Sequence, residues 1–212
     1  PLIEDVASKG KPMIMSTGMA TLAEIDEAVA AVRNQGNDNF ALLRCASAYP
    51  AITDEMNLRT MQNMGETFGA PFGLSDHSMR YVGAVTAVAL GASIIEKHFC
   101  IDRSIENPDS SFSMNPAEFK QMVADIRQAE KAIGCVKYGP SEQEKSSQVF
   151  RRSIFCVRDI KKGEKITSEN ARIIRPGYGL SPKYYNDILG QIALTDIERG
   201  TPLKMEMIGG DF

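Results

Sequence analysis

The chain contains two histidines, and each directly follows an apolar, strand-like run: His77 in GLSDH and His98 in IEKH. If the runs are neighbouring strands, the imidazoles converge on one point. Two neutral imidazoles, completed by water and substrate oxygens, make an open site for a divalent cation. The plainer reading is one core histidine and one that only donates a hydrogen bond. Ser16 in STGM and Ser75 in GLSDH also stand at strand ends. Short hydroxyls beside glycine and a helix start suit a phosphate or carboxylate, and they equally suit helix capping. Asp76 is positioned to orient a ligand histidine or to cap the next helix. Lys97, beside His98, reads as a salt-bridged lysine rather than a catalytic one. Ser47 and Tyr49 in the loop SAYPA, and Asp109 in a long loop, are polar groups near the same strand ends. Arg175, before the Pro-Gly turn of IIRPGYG, is placed to present one guanidinium rigidly to a planar acyl or carboxylate group, although on composition alone it reads as a surface arginine.

The elements that must position these groups alternate. PMIMS (12–16), FALLRC (40–45), PFGLS (71–75) and SIIEKHF (93–99) read as strands. Between them lie helical patterns. Thr21 with Glu24 forms a capping box ahead of an apolar stripe of Ile25, Ala28, Val29 and Val32. Further helices are expected over 57–68 and 81–90. A last one begins with Asn115 as cap, Pro116 at the first position and Glu118 closing the box, and it runs to Ile133 before Gly134. Such βα units imply a parallel sheet, either doubly wound or a (β/α)8 barrel. Polar residues gathered just after each strand favour the barrel, and no G-x-G-x-x-G fingerprint supports the alternative. Four units are half of a closed barrel, and they read as the last four.

The texture changes after residue 134. Residues 135–149 are polar and read as a linker, and 150–212 read as a compact all-β module of short strands and Gly turns. Within it, DIKKGEKI (159–166) and DIERGTPL (196–203) form a weak internal echo. The 212 residues are 43% hydrophobic and 24% charged, ordinary for a globular protein, and the net charge of -3 speaks against a nucleic-acid partner. The apolar stretch 81–95 is too short to span a bilayer. Four irregularly spaced cysteines fit reduced thiols in a cytoplasmic protein. The chain opens on Pro in what reads as a helix tail, which suggests a piece of a longer protein.

KPMIMSTGMA, LLRCASAYPA, GLSDHS, GASIIEKHF, FRRSIF, DIKKGE and RPGYG, in this order, resemble the sialic acid synthase (N-acetylneuraminate synthase) family. SAYPA, NPDSSFSMNPAEF and IIRPGYGLSPKYY are most similar to its pseudaminic acid synthases. The resemblance implies the C-terminal half of a TIM barrel followed by a small antifreeze-like (SAF, β-clip) domain, swapped across a homodimer to cap the partner's site. It also implies a reaction: C3 of phosphoenolpyruvate joins the aldehyde carbon of an open-chain N-acetylated amino sugar, water attacks C2, and phosphate leaves with C–O cleavage. The sugar implied is 2,4-diacetamido-2,4,6-trideoxy-altrose, with neuraminate or legionaminate synthesis as alternatives and a non-catalytic carbohydrate- or partner-binding module as a different class.

Carried over by residue, His77 and His98 hold Mn2+, Mg2+ or Co2+, and Asp109 joins them as a catalytic residue on the sugar side. Ser16 and Ser75 contact phosphoenolpyruvate. Ser47 is a less secure phosphate contact, because neuraminate synthases often carry Asn there. Tyr49 faces the sugar, and Arg175 reaches the partner's sugar acyl group. A half-barrel exposes two sheet edges and its inner face, so the chain as written is expected to be inactive alone.

Overall fold

The computed structural model describes residues 1–210. The chain divides into two compact units, Pro1–Cys135 and a second that opens at Val136.

In the first unit a short helix α1 (Leu2–Ala7) precedes four βα repeats. Strands β1 (Met13–Ser16), β2 (Phe40–Cys45), β3 (Phe72–Asp76) and β4 (Ile94–Lys97) alternate with helices α2 (Leu22–Arg33), α3 (Arg59–Phe68), α4 (Val82–Ala89) and α5 (Pro116–Ile133). The strands pair in parallel in the order β1-β2-β3-β4. Right-handed crossovers that always step in one direction put every connecting helix on the same face of the sheet. That is the arrangement of half a TIM barrel, as expected.

Local sequence explains the helix limits. Thr21 and Asn115 both form complete capping boxes, with Glu24 and Glu118. Gly69 ends α3 in the left-handed conformation at φ 62°, where a side chain would be strained.

Period-two alternation sorts the strand residues. Met13, Met15, Phe40 and Leu42 pack with Ile25, Val29, Val32, Met64 and Phe68 from the helices. Leu74 packs with Met56, Met61 and Ala87. The opposite, inner face carries Ile14, Ser16, Leu43, Cys45, Gly73, Ser75 and Glu96. Ile14 there is 59% exposed, and within the sheet β1 and β4 each pair on one side only. The open edges match expectation, but the inner face is exposed only at its margins: Leu43, Cys45, Gly73 and Ser75 on the central strands are buried. Strand β3 runs one residue further than its sequence suggests, to Asp76. Asp76 is therefore a strand residue facing the helices rather than a loop residue facing the strand ends.

The second unit pairs β5 (Ser153–Cys156) with β6 (Ala171–Ile174) and β7 (Ile192–Ala193) with β8 (Ile208–Gly209), both antiparallel. Ile154, Ile160, Ile166, Ile188, Ile197, Leu203 and Ile208 form its core. The two echoing segments pair with one another. Ile160 and Ile197 exchange both backbone hydrogen bonds, at 2.9 and 2.8 Å. Asp196 accepts from the Lys162 amide, and Asp159 reciprocally accepts from the Arg199 amide. The echo is thus a pseudo-symmetric pair in which each Asp caps the other's turn. Two departures from the sequence reading stand out. Residues 142–149, read as linker, together with Phe150 form a helical turn with a Ser141–Glu144 capping box and a 3-10 turn. The module also includes a helical turn at Tyr185–Ile188, whose last residue is a core side chain.

Candidate active site

His77 is the first residue past β3 and His98 the first past β4, so neighbouring strands deliver both imidazoles to one end of the sheet. Their ring centroids lie 5.0 Å apart. His77 is buried, and its Nδ1 lies 3.2 Å from the Ala46 carbonyl and 3.5 Å from the Cys45 thiol. A carbonyl can only accept, so Nδ1 carries the proton. The Nε2 lone pair of His77 is then directed away from the backbone, the tautomer a metal ligand needs. On the other ring, His98 Nδ1 faces Asp109 Oδ2 at 3.7 Å. That separation is too long for a hydrogen bond but close enough for the carboxylate to bias the ring's orientation.

The long loop after β4 reaches the site because it folds back onto the strand end. The Met114 amide donates to the His98 carbonyl, and the Cys100 amide to the Met114 carbonyl, both at 2.9 Å. This closure brings Asp109 beside His98 and sets Phe112 edge-on to the His98 ring, with centroids 5.0 Å apart. Tyr49 completes an aromatic cluster. Its ring lies 4.2 Å from His77, 5.8 Å from His98 and 5.4 Å from Phe112, while 53% of the residue stays exposed. Ser75, His77, Glu96, Lys97 and His98 line a cavity of about 250 Å³.

The structure therefore gathers Tyr49, Ser75, His77, His98 and Asp109. Ser47 joins through Cys45, whose thiol lies 3.3 Å from its hydroxyl. The turn after β1 presses on Ser47 as well: a Cβ at Gly18 would stand 2.0 Å from the Ser47 hydroxyl. Ser16 lies on β1, two strands from β3 and so roughly 10 Å from Ser75. It lines a separate cavity with Leu2, Ile14 and Ile25. Arg175 is exposed on the second unit, just past β6, followed by a cis bond to Pro176.

Two of the polar residues do something other than face a ligand. Ser75 is buried, and its hydroxyl donates to Glu96 Oε1 at 2.6 Å. Asp76 makes no hydrogen bond to either histidine. It is paired with Lys97 at 2.9 Å, the two side chains 0% and 1% exposed, so the salt-bridged reading of Lys97 holds and Asp76 does not orient a histidine by a direct hydrogen bond. Sequence reasoning passed over Glu96, Phe112 and Cys45. Glu96 carried a usable signal, since it stands two residues before His98 on one strand and so shares its face.

The donors present fit an open cation site. Among the described residues no three His, Cys, Asp or Glu side chains gather at one point. His77 and His98 could nevertheless offer two nitrogens, with the remaining positions left to water or substrate oxygens.

Residues 1–138 match the NeuB family and residues 151–209 the SAF domain. The chain is 45% identical over 199 residues to a pseudaminic acid synthase of Campylobacter jejuni, covering 94% of this chain and 58% of that protein. It is 43% identical over 209 residues to the pseudaminic acid synthase of Helicobacter pylori, covering 98% and 61%. Among solved structures, the spore coat polysaccharide biosynthesis protein of Bacillus subtilis superposes with a TM-score of 0.59 at 34% identity, covering 100% of this chain and 65% of that one. The chain thus spans about 60% of the length of the curated relatives it matches. It belongs to the NeuB family, and its second unit is a SAF domain.

Proposed function

We propose that this chain carries the cation-binding half of an enzyme that condenses phosphoenolpyruvate with an N-acetylated amino sugar to give a nonulosonic acid and phosphate. The sugar class is that of pseudaminic acid synthesis, 2,4-diacetamido-2,4,6-trideoxy-altrose. The observation that carries the reading is the pair of imidazoles delivered by adjacent strands, with His77 held in the tautomer that frees Nε2. The two relatives at 43–45% identity, both pseudaminic acid synthases, support the choice of sugar.

His77 and His98 would hold a divalent cation such as Mn2+, Mg2+ or Co2+. When bound, such an ion polarises an aldehyde oxygen as a Lewis acid. The chain's own groups do the rest. The Ala46 carbonyl keeps the His77 proton on Nδ1 throughout. Asp109 keeps His98 turned toward the site and receives a sugar hydroxyl. Tyr49 and Phe112 wall the opening with aromatic faces, which suit the apolar faces of a sugar ring and exclude water from it. Ser75 is held by Glu96 until an anionic group competes for its proton, and Ser16 and Ser47 would meet the phosphate as charge develops on the leaving oxygens. The reading includes a homodimer in which Arg175 of the SAF unit reaches the sugar acyl group in the partner's site. The four free cysteines and the intracellular supply of phosphoenolpyruvate support reading the protein as cytoplasmic. No described helix is long and apolar enough to cross a membrane.

The test is phosphate release from phosphoenolpyruvate, by the chain as it stands and by the chain joined to the portion of a relative that it does not span. The trideoxy sugar and N-acetylmannosamine are offered in parallel, with and without EDTA. EDTA-sensitive release by the joined protein with the trideoxy sugar supports the proposal. Release with N-acetylmannosamine instead keeps the chemistry and changes the substrate. Release with neither, from folded protein, refutes a catalytic role and leaves a binding module.

A further inference from the structure

The least exposed charges in the described chain lie directly behind the two histidines. Lys97 precedes His98 and Asp76 precedes His77, and the two are register partners on β3 and β4. Side chains alternate along a strand, so the histidines point to the inner side and this pair points to the helix side. The Lys97 ammonium is surrounded by acceptors. It donates to Asp76 Oδ2 at 2.9 Å, to the Arg80 carbonyl at 3.0 Å and to the Ser78 carbonyl, with the Ser78 hydroxyl at 3.4 Å. The loop is tied to itself as well. Asp76 Oδ1 accepts from the Ser78 amide at 2.9 Å, and the Ser78 hydroxyl donates to the Arg80 carbonyl at 2.6 Å. His77 is thus the one residue between two anchored neighbours, and the anchor grows from the residue next to His98.

A buried ion pair is weak evidence for stability, because desolvation offsets the Coulomb attraction and apolar replacements of similar volume often fold as well. Specifying one geometry is the better-supported use of such a pair. We infer that Lys97 and Asp76 are positioning residues: the ammonium clamps the loop 76–80 to β4 and so sets the separation and tilt of the His77 and His98 rings, and with them the affinity for a divalent cation. This rests on the proposal that the histidines hold a cation, and the test separates the two.

Removing the lysine alone would leave a buried, unpaired carboxylate and is expected to unfold the unit. The informative variants are therefore D76N/K97M, which removes both charges while the Asn oxygen can still accept from the Ser78 amide, and K97R, which keeps the charge on a wider, planar head. Two readouts are taken on the 212-residue chain. One is Co2+ affinity from visible absorption. The other is the long-range proton–nitrogen spectrum of the two imidazoles, assigned with H77A and H98A. Both variants should keep the wild-type circular dichroism, bind Co2+ ~10- to 100-fold more weakly and shift the His77 ring signals. Affinity within threefold of wild type together with unmoved ring signals would overturn the inference and leave the cation reading intact. If the wild type binds no Co2+, the cation reading fails, and the ring signals alone decide whether the clamp positions His77.

Discussion

The sharpest structural prediction concerns Gly73 in the middle of β3. A Cβ at this position would stand 2.2 Å from the Ile94 carbonyl oxygen and 2.8 Å from a Leu43 methyl. The first neighbour is backbone of the register partner on β4, so it cannot rotate away. To reach ordinary contact, the two strands must part by roughly an ångström, which lengthens the hydrogen bonds of the ladder between them. Overpacking of this kind typically costs ~1–3 kcal/mol, and a backbone neighbour on one side with a core leucine on the other puts Gly73→Ala near ~3 kcal/mol. Gly18→Ala is the control. Its Cβ would come closer still, 2.0 Å from an atom, but that atom is the rotatable Ser47 hydroxyl. Its stability cost should stay below about 1 kcal/mol. Urea unfolding followed by far-UV circular dichroism measures both. A Gly73→Ala protein within ~0.5 kcal/mol of wild type, the range of ordinary surface changes, would refute the claim that β3 and β4 approach too closely at Gly73 to admit a side chain.

Other expectations follow from single contacts. Asn115→Ala should cost about 1 kcal/mol, the usual worth of an N-cap, because it removes one half of the α5 capping box. The Asn115 amide and the Arg103 guanidinium hold the Glu118 carboxyl below the usual carboxylate value. A depressed folded-state pKa gives stability that is present above the unfolded value of about 4.3 and lost as pH falls through the folded one. Stability should therefore decline below about pH 4, and E118Q should flatten that decline in acid titrations followed by circular dichroism. Burial pushes the Cys156 thiol up. A chromogenic disulfide reagent should accordingly label exposed Cys135 at once and Cys156 only with unfolding.

What could be read from sequence and what could not divides along physical lines. Strands, crossovers and capping boxes are local patterns, and Thr21–Glu24 and Asn115–Glu118 formed where their spacing required. The histidines were legible because a strand end fixes direction. Contacts made across the fold were not. Nothing local told Asp76 to turn toward Lys97 rather than His77; one extra strand residue decided it. Phe112 sits in an irregular loop without periodicity, and it reaches His98 only because Met114 pairs with the His98 backbone. Ser75 reads as a free hydroxyl until its neighbour in register, Glu96, is known. Ser16 carries the same strand-end signal as Ser75 and yet lines a different cavity, which alternation along one strand cannot reveal.

The central claim is that the His77–His98 pair is where the chemistry happens. It is tested most directly by sugar-dependent phosphate release with H77A and H98A in the joined protein. Loss of a cation ligand should cost more than the ~10- to 100-fold typical of its outer supports, so each variant should fall by more than about 100-fold while keeping its circular dichroism spectrum. Release within tenfold of wild type from either folded variant would contradict the claim.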